Sequence, residues 1–393
     1  MSSFDVIIVG LGAMGSAAAF ELARRGVRVL GLDAHAPPHT LGSTHGRTRI
    51  IREAYFEDPA YVPLLRRAYE RWAELEALAG VRLLVPTGGL MLGPADGTLI
   101  RGARASAETH GIAHEMLDAA EVRRRWPVLA PRDDMAALLE HRAGVLLPEE
   151  CVRAHLHLAG AHGADLRTGV RVADWSASPA GVTVTMTDGT RHEGARLILA
   201  AGPWLPDLLD LPLELEVERQ LFHWFAPLGD PVRFDAAHCP ITLWEPEAGR
   251  YFAALPDLGD GVKIGIHHEG ERAHPDRARR EAAADDEGAV RPLLARYLPD
   301  ANGRLREARV CLYTNTPDHH FLLDRHPAQP NVILASPCSG HGFKFASAIG
   351  EVLADFATDR ASRHDLRLFE VERLVAGTAA SRQSSRIAGE GDR

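Results

Sequence analysis

The hydrophobic and polar positions near the start of the chain alternate between short apolar runs and one helical pattern. An apolar run at Val6–Val9 is followed by a glycine-rich turn, an alanine-rich helical pattern over residues 16–25 and a second apolar run at Val27–Leu32. Short apolar runs bounded by turn residues are typical of buried strands, and strands that alternate with helices are typical of a parallel sheet. This order predicts a strand–helix–strand unit.

The rest of the chain mixes helical and strand patterns. Helical spacing of apolar residues predicts helices at 61–79, 119–126, 149–162, 275–297 and from about 345 onward. Strand patterns dominate 80–148, 166–201, 213–266 and 332–335. Residues 376–393 are rich in Ser, Gly and Arg, which predicts a disordered tail.

Length, charge and cysteine usage exclude several classes of protein. A chain of 393 residues is long enough for two domains, and a net charge of −9 argues against a general nucleic-acid binder. The four cysteines form no CxxC pair, which argues against a disulfide framework and a zinc site. No basic n-region precedes the first strand, and no apolar run reaches the roughly 18 residues of a membrane helix. These features predict a cytoplasmic protein that neither associates with a membrane nor binds a metal.

The glycine-rich turn has the spacing G-x-G-x-x-G, formed by Gly10, Gly12 and Gly15, and Asp33 ends the second predicted strand. The glycines allow a tight turn, close approach of the backbone to a pyrophosphate and close helix–strand packing. The start of the helix offers free N–H groups to phosphate, and the acid offers acceptors to a ribose. The segment predicts dinucleotide binding.

Lysine is almost absent from the chain. Only two of the 44 basic residues are lysine, Lys263 and Lys344. A GC-rich genome accounts for the arginine bias, but a lysine that survives it can be one that arginine cannot replace, because lysine is a compact charge with a tunable pKa. Both lysines are therefore candidate functional residues.

Five separated segments, in this order, resemble those of the monomeric sarcosine oxidase and N-methyltryptophan oxidase family. They are Asp33–Ser43, Gly46–Tyr55, Gly261–His267, Cys311–Asp318 and Ser339–Phe345. The resemblance extends over nearly the whole chain up to about residue 370. It implies a monomeric flavoenzyme that oxidises secondary (N-methyl) amino acids such as sarcosine with O2, giving hydrogen peroxide and an imine that hydrolyses to aldehyde and amine.

The resemblance also implies an α/β fold of two domains. A glutathione-reductase-like FAD domain with a Rossmann βαβ unit would comprise 1–85, 145–212 and 310–372. A substrate domain with a large, mostly antiparallel sheet would comprise 86–144 and 213–309.

The family pattern assigns roles to residues of this chain. FAD would be attached covalently to Cys311, and the further cofactor-binding positions would be Gly10, Gly12, Gly15, Asp33, Ser43, Arg49, Val172, Gly202, Gly340, Gly342 and Lys344. Arg52 and Lys344 would bind the substrate carboxylate, with Tyr55 beside them. Lys263 would activate oxygen at the flavin, Arg49 would add positive potential there, and His45 and His267 would adjoin the site.

The chain departs from the pattern in one aromatic segment. Where sarcosine-handling members carry consecutive tyrosines, this chain has Tyr251 and Phe252 followed by Ala253, which we expect to open space, and Trp244 is a bulky residue on a strand near the pocket. The substrate therefore stays open between sarcosine, N-methyltryptophan and a cyclic imino acid such as proline or pipecolate. A nicotinamide-dependent dehydrogenase and a flavin-binding sensor are the remaining alternatives, and covalent flavin at Cys311 would exclude the first.

Overall fold

The computed structural model describes residues 4–375, so the tail predicted at 376–393 lies outside them. The strands are β1 Phe4–Val9, β2 Val29–Asp33, β3 Arg49–Ile51, β4 Leu84–Pro86, β5 Gly89–Pro94, β6 His114–Asp118, β7 Met135–Glu140, β8 Gly144–Leu146, β9 Asp165–Thr168, β10 Val172–Ser178, β11 Gly181–Met186, β12 Arg191–Leu199, β13 Glu216–Phe225, β14 Ile241–Glu247, β15 Arg250–Leu255, β16 Val262–His267, β17 Glu271–Arg272, β18 Leu305–Asn315, β19 Leu322–His326 and β20 Gln329–Ser336. The helices are α1 Ala13–Ala23, α2 Val62–Ala79, α3 Thr98–His110, α4 Ala119–Arg125, α5 Pro148–Ala161, α6 Leu205–Leu208, α7 Ala284–Tyr297 and α8 Ala346–Ala357. None of the helices within 4–375 combines the length and the apolar character needed to cross a membrane.

The chain divides into two compact units. The first consists of the described parts of Met1–Thr44, Val152–Val217 and Tyr313–Arg393. Its centre is a parallel sheet in which β1 pairs with β2 and β12, β2 pairs with β9, and β12 pairs with β20. Helix α1 packs closely against α8, since a Cβ on Gly350 would lie 2.6 Å from the Cβ of Ala17. The predicted strand–helix–strand unit is confirmed.

The second unit consists of His45–Cys151 and Glu218–Leu312. Its nine-stranded sheet follows the order β17-β13-β16-β15-β14-β5-β7-β6, with β18 beside β13. Strand β14 pairs with β5 in parallel, whereas β13–β16, β15–β16, β14–β15, β5–β7 and β6–β7 are antiparallel. The expected α/β fold with a large, mostly antiparallel second sheet is confirmed. A separate three-stranded sheet has the order β3-β8-β4.

The compact units differ from the expected domains over residues 45–85 and 145–151, and by a few residues at 213–217 and 310–312. The resemblance implies that 45–85 and 145–151 belong to the FAD domain, yet they cluster with the second unit. Backbone pairing keeps these two segments together, because β3 and β4 both pair with β8 in antiparallel register.

Two helices differ from the sequence-based expectation. The helical stretch expected at 275–297 begins only at Ala284, because the Arg219 guanidinium binds the carbonyl oxygens of Arg279 and Glu281 at 2.8 and 3.0 Å and so takes acceptors that a helix would use. Helix α3 lies in a region where only strands and the helix at 119–126 were expected. Its capping group is the carboxylate of Glu245 on β14, which accepts the N–H of Leu99 at 2.8 Å.

Candidate active site

The glycine-rich turn of the first unit joins β1 to α1. A Cβ on Gly10, whose φ is +92°, would lie 2.4 Å from the carbonyl oxygen of Ala200, and a Cβ on Gly15 would lie 1.7 Å from the oxygen of Gly10. Both positions therefore require glycine. Among the described residues, and apart from the neighbours of Gly12 in the chain, an added Cβ at Gly12 would approach just Oγ1 of Thr44 within 4 Å, at 3.8 Å. The backbone at Gly12 is thus open to a ligand at the start of α1, which has no acidic side chain in its first turn.

Asp33 stands at the end of β2, beside this turn. One carboxylate oxygen accepts the N–H of Leu11 at 2.7 Å and the other accepts the N–H of His35 at 2.8 Å. Each oxygen has a second lone pair that a ribose hydroxyl can use. The carboxylate therefore ties the glycine turn to the loop after β2 and keeps acceptor capacity.

The other predicted cofactor positions in the first unit lie at the ends of its elements. Ser43 follows the loop after Asp33, Val172 begins β10, and Gly202, with a φ of +55°, follows β12. The turn before α8 is tightly wound, since a Cβ on Gly342 would lie 1.7 Å from the oxygen of Pro337 and Gly340 has a φ of +77°. Lys344 ends this turn in a buried position and donates from Nζ to the carbonyl oxygen of His341 at 2.7 Å.

Lys263 lies in β16 of the second unit and is 3% exposed. Its Nζ donates to the carbonyl oxygens of Gly46 and Thr48, both at 2.8 Å, and to Oγ1 of Thr48 at 3.1 Å. The ring of Phe222 lies 4.1 Å from the ammonium, within cation–π distance. Burial, followed by the nearby Arg49 guanidinium, lowers the pKa of Lys263 well below its ordinary value. The three oxygen acceptors nevertheless match the three hydrogens of the ammonium form, since a neutral amine has one fewer.

Arg49 connects this lysine to Cys311. Its guanidinium donates to the Thr48 carbonyl oxygen at 2.8 Å, the same oxygen that Lys263 binds, and Nη2 lies 3.6 Å from Sγ of Cys311. The guanidinium also lies over Phe222, 4.6 Å from the ring centre. Cys311 is 1% exposed. Two cations and one thiol that the sequence places far apart are thus brought together by β3, β16 and β18.

Arg52 is buried in the segment after β3. Its Nη2 lies 3.0 and 2.9 Å from the two oxygens of the Glu57 carboxylate, and Nη1 donates to the carbonyl oxygen of Ala54. The ring of Tyr55 lies 4.4 Å from the guanidinium and is fully buried. The ion-pair partner of Arg52 is thus Glu57, five positions further along the chain.

The two predicted histidines lie near these cations along the chain. His45 is buried and begins the segment that contains Gly46, Thr48 and Arg49, while His267 ends β16 opposite Tyr251 on β15. Trp244, on β14, is fully buried in the core of the second sheet, where its ring stacks on Phe252 at 5.7 Å.

Comparison with protein families identifies the fold and cofactor class. The model of the family described as "FAD dependent oxidoreductase" matches residues 5–356. The chain belongs to this family. The glycine-rich turn and the cluster around Lys263 are therefore features of an FAD-dependent oxidoreductase.

Two relatives match nearly the whole chain of this oxidoreductase. The monomeric sarcosine oxidase of Streptomyces avermitilis is 41% identical, with 96% of this chain and 99% of that protein covered. The N-methyl-L-tryptophan oxidase of Salmonella dublin is 35% identical, with 94% and 99% covered. These matches confirm the resemblance to the monomeric sarcosine oxidase and N-methyltryptophan oxidase family that five segments of the sequence indicate.

Solved structures support the fold of this oxidoreductase. NikD, described as an unusual amino acid oxidase essential for nikkomycin biosynthesis, matches with a TM-score of 0.82 at 24% identity, over 94% of this chain and 98% of that one. The L-proline dehydrogenase of P. horikoshii also has a TM-score of 0.82, at 20% identity over 96% and 99%. At these identities the likeness concerns the fold alone.

The first unit has features that are suited to the dinucleotide of FAD. The open backbone at Gly12 and the uncapped start of α1 suit the pyrophosphate, because N–H groups and the helix dipole favour an anion there. The free acceptor capacity of Asp33 suits a ribose. These residues therefore fit the cofactor that the family requires.

Several residues of the cluster were missed by sequence reasoning. Thr48 and Phe222 contact Lys263, Glu57 pairs with Arg52, and Glu149 accepts the backbone N–H of Gly46 at 2.8 Å. Thr48 stands inside a segment that resembles the family, so its position offered a signal. Phe222 and Glu149 have no local pattern that separates them from ordinary sheet and helix residues.

Proposed function

We propose that this chain oxidises secondary (N-methyl) amino acids such as sarcosine with O2, giving hydrogen peroxide and an imine that hydrolyses to an aldehyde and an amine. When bound, FAD takes two electrons from the substrate and passes them to O2. The observation that carries the proposal is the buried cluster of the Lys263 ammonium, the Arg49 guanidinium and the Cys311 thiol in the second unit.

We propose that the first unit is the FAD domain and that Cys311 forms the covalent bond to the flavin. Gly12 and the start of α1 would hold the pyrophosphate and Asp33 a ribose, with Ser43, Val172, Gly202, Gly340 and Gly342 supplying backbone contacts. A cation beside a cysteine favours the reactive thiolate, and Arg49 lies 3.6 Å from the sulfur. The support for Cys311 is thus its place in the family motif together with this neighbour.

Lys263 has the properties of an oxygen-activating group. Its ammonium is fixed by three oxygen acceptors in a buried site, where a charge acts more strongly than in water. A fixed cation stabilises negative charge that develops on O2 without having to reorganise during the reaction. Arg49 adds a second positive charge to the same place.

Arg52 and Lys344 are the proposed ligands of the substrate carboxylate, with Tyr55 supporting the Arg52 guanidinium. An arginine offers a planar fork to a carboxylate, and a lysine offers a point charge. Glu57 already contacts Nη2 of Arg52, so a substrate carboxylate competes with Glu57 or shares the guanidinium with it. His45 and His267 are proposed to adjoin the reacting amine, which must be neutral to be oxidised.

Removing either carboxylate ligand should mainly weaken substrate binding. Arg52→Ala or Lys344→Ala each loses a charge-assisted hydrogen bond, which costs about 1.5–3 kcal/mol, so kcat/KM for sarcosine should fall roughly 10- to 150-fold. Steady-state kinetics measure this loss, with Arg104→Ala as a control because Arg104 forms an exposed pair with Glu108 on α3. Wild-type kcat/KM in both variants would contradict the assignment.

A peroxide-release assay across amino acids tests the proposed substrate class. The purified enzyme is supplied in air with sarcosine, N-methyltryptophan, proline, pipecolate and the corresponding primary amino acids. We expect peroxide from the N-methyl compounds and none from the primary ones. Oxidation of only the cyclic compounds would replace the proposal with an imino acid oxidase, and turnover with an artificial acceptor but not with O2 would indicate a dehydrogenase.

We also propose that the enzyme acts as a monomer in the cytoplasm. The relative from Streptomyces avermitilis is named as monomeric. None of the four cysteines, all of which lie within the described residues, forms a disulfide, which is typical of proteins from a reducing compartment.

A further inference from the structure

The segment 46–48, which binds Lys263 through its carbonyl oxygens, is held from its other side by Glu149. One carboxylate oxygen of Glu149 accepts the N–H of Gly46 at 2.8 Å and the N–H of Arg47 at 3.0 Å, and the other oxygen lies 3.2 Å from the Arg47 nitrogen. Glu149 is in the first turn of α5 and belongs to the same compact unit as Lys263.

A single peptide group joins the carboxylate to the ammonium. The carbonyl oxygen of Gly46 accepts from Nζ of Lys263, and the N–H of that same peptide, which belongs to Arg47, donates to Glu149. Hydrogen bonds in such a chain polarise one another, so the negative charge at one end strengthens the acceptor at the other. The Gly46–Arg47 peptide therefore transmits the charge of Glu149 to Lys263.

The surroundings of Lys263 make such support necessary. Burial removes the ammonium from water, and the guanidinium groups of Arg49 and Arg47 repel it. The groups that favour its charge are Cys311 and Glu149. If Cys311 is bound to flavin, its sulfur can no longer carry a negative charge. Of these neighbours, Glu149 is then the one whose negative charge favours the Lys263 ammonium.

The backbone of the segment has an uncommon conformation at Arg47, which follows a glycine that also has a positive φ. Gly46 has a φ of +95°, and Arg47 has a φ of +64°, which is uncommon for a residue with a side chain. The Arg47 side chain is anchored by Glu307 at 2.6 Å and Asp260 at 3.2 Å. Several contacts thus fix the carbonyl oxygens of Gly46 and Thr48 toward Lys263. Glu149 supplies the contacts to the backbone N–H groups of Gly46 and Arg47.

We infer that Glu149 is a positioning residue for Lys263, which acts through the Gly46–Arg47 peptide to keep the ammonium charged and in place for the reaction with O2. This inference rests on the proposed function for its catalytic consequence. The effect on the protonation of Lys263 is independent of any substrate.

The lysine count makes a direct measurement possible. Because the chain has only Lys263 and Lys344, the holoenzyme labelled with lysine carrying carbon-13 at Cε gives two lysine resonances, and Lys263→Met assigns them. We expect the Lys263 resonance of Glu149→Gln to titrate at lower pH than that of the wild type. Glu150→Gln makes the same charge change at an exposed neighbouring residue and should leave the titration of Lys263 unchanged.

Flavin reoxidation gives the catalytic readout. In Glu149→Gln, reoxidation by O2 should slow roughly tenfold at neutral pH, as the charge is lost from one end of a hydrogen-bonded chain. The fall in rate with rising pH should begin at lower pH than in the wild type, because the ammonium deprotonates earlier. Anaerobic reduction by sarcosine should change little. Glu149→Asp keeps the charge with a shorter reach, and we expect it to titrate between the wild type and Glu149→Gln.

The outcomes separate this inference from the proposed function. If Lys263 titrates at lower pH in Glu149→Gln than in the wild type, the role of Glu149 is supported even when sarcosine is not a substrate. In that case the proposed function alone fails. An unchanged Lys263 titration in both Glu149 variants overturns the inference, whatever the substrate. If Glu149→Gln does not fold, the test rests on Glu149→Asp. A Lys263 titration and a pH profile of reoxidation that match the wild type in Glu149→Asp would then overturn the inference that Glu149 acts on Lys263 through the Gly46–Arg47 peptide.

Discussion

Lys263→Met should slow reoxidation of the reduced enzyme by O2 about 100- to 1,000-fold. Methionine has nearly the length of lysine and no charge, so it fills the space beside Phe222 and removes the cation that stabilises developing negative charge. The acceptors of Gly46 and Thr48 would lose the Lys263 donor, but the Thr48 carbonyl oxygen keeps its hydrogen bond from Arg49 and the backbone segment keeps its contacts to Glu149. Lys263→Arg should restore the rate only in part, because a wide planar guanidinium does not fit three acceptors arranged around one nitrogen.

Stopped-flow mixing of the reduced enzyme with dissolved oxygen measures this rate, and anaerobic reduction by substrate is measured alongside it. The matched control is Lys344→Met, the same substitution at the other lysine. It should slow reduction by carboxylate substrates and leave reoxidation nearly unchanged. Reoxidation of Lys263→Met at the wild-type rate would mean that oxygen reacts elsewhere and that this lysine serves the fold.

Cys311→Ser should abolish covalent attachment of the flavin. A hydroxyl is a far weaker nucleophile than a thiolate, and the Arg49 guanidinium beside the sulfur has no comparable effect on serine. The other thiols of the second unit lie in unsuitable places, because burial raises the pKa of Cys239 to about 12 and raises that of Cys151 well above its ordinary value. Cys338→Ser is the control and should keep the bond.

A denaturing gel viewed under ultraviolet light reads out this bond. Flavin fluorescence should migrate with the wild-type and Cys338→Ser bands and be absent from the Cys311→Ser band. A wild-type band without fluorescence would refute covalent attachment, and a fluorescent Cys311→Ser band would place the bond on another residue.

Local patterns were sufficient to predict the parts of the site that depend on neighbouring residues. The turn at Gly10–Gly15 and the acid at Asp33 lie within one strand–helix–strand unit, so their spacing along the chain fixes their arrangement in space. The rarity of lysine singled out Lys263, which the structure places beside Arg49 and Cys311.

Contacts between distant segments were not accessible from the sequence. Glu149 and Gly46 are 103 positions apart, and only the packing of the second unit brings the carboxylate to that backbone. Helix α3 has buried Leu99, Ala103 and Ala107 at helical spacing, but its start is capped by Glu245, 146 positions from Leu99. When the group that caps the start of a helix is so distant in sequence, the residues next to the helix contain no capping residue from which its start can be predicted.

The measurement that most directly tests the account is a two-step reaction of the holoenzyme with sarcosine and then with oxygen. The enzyme is mixed with sarcosine in the absence of oxygen, the flavin spectrum is followed, and oxygenated buffer is then added. We predict that sarcosine bleaches the flavin completely and that oxygen restores it with release of one equivalent of hydrogen peroxide for each equivalent of formaldehyde. A flavin that stays oxidised with sarcosine and with every other N-methyl amino acid tested would contradict the account.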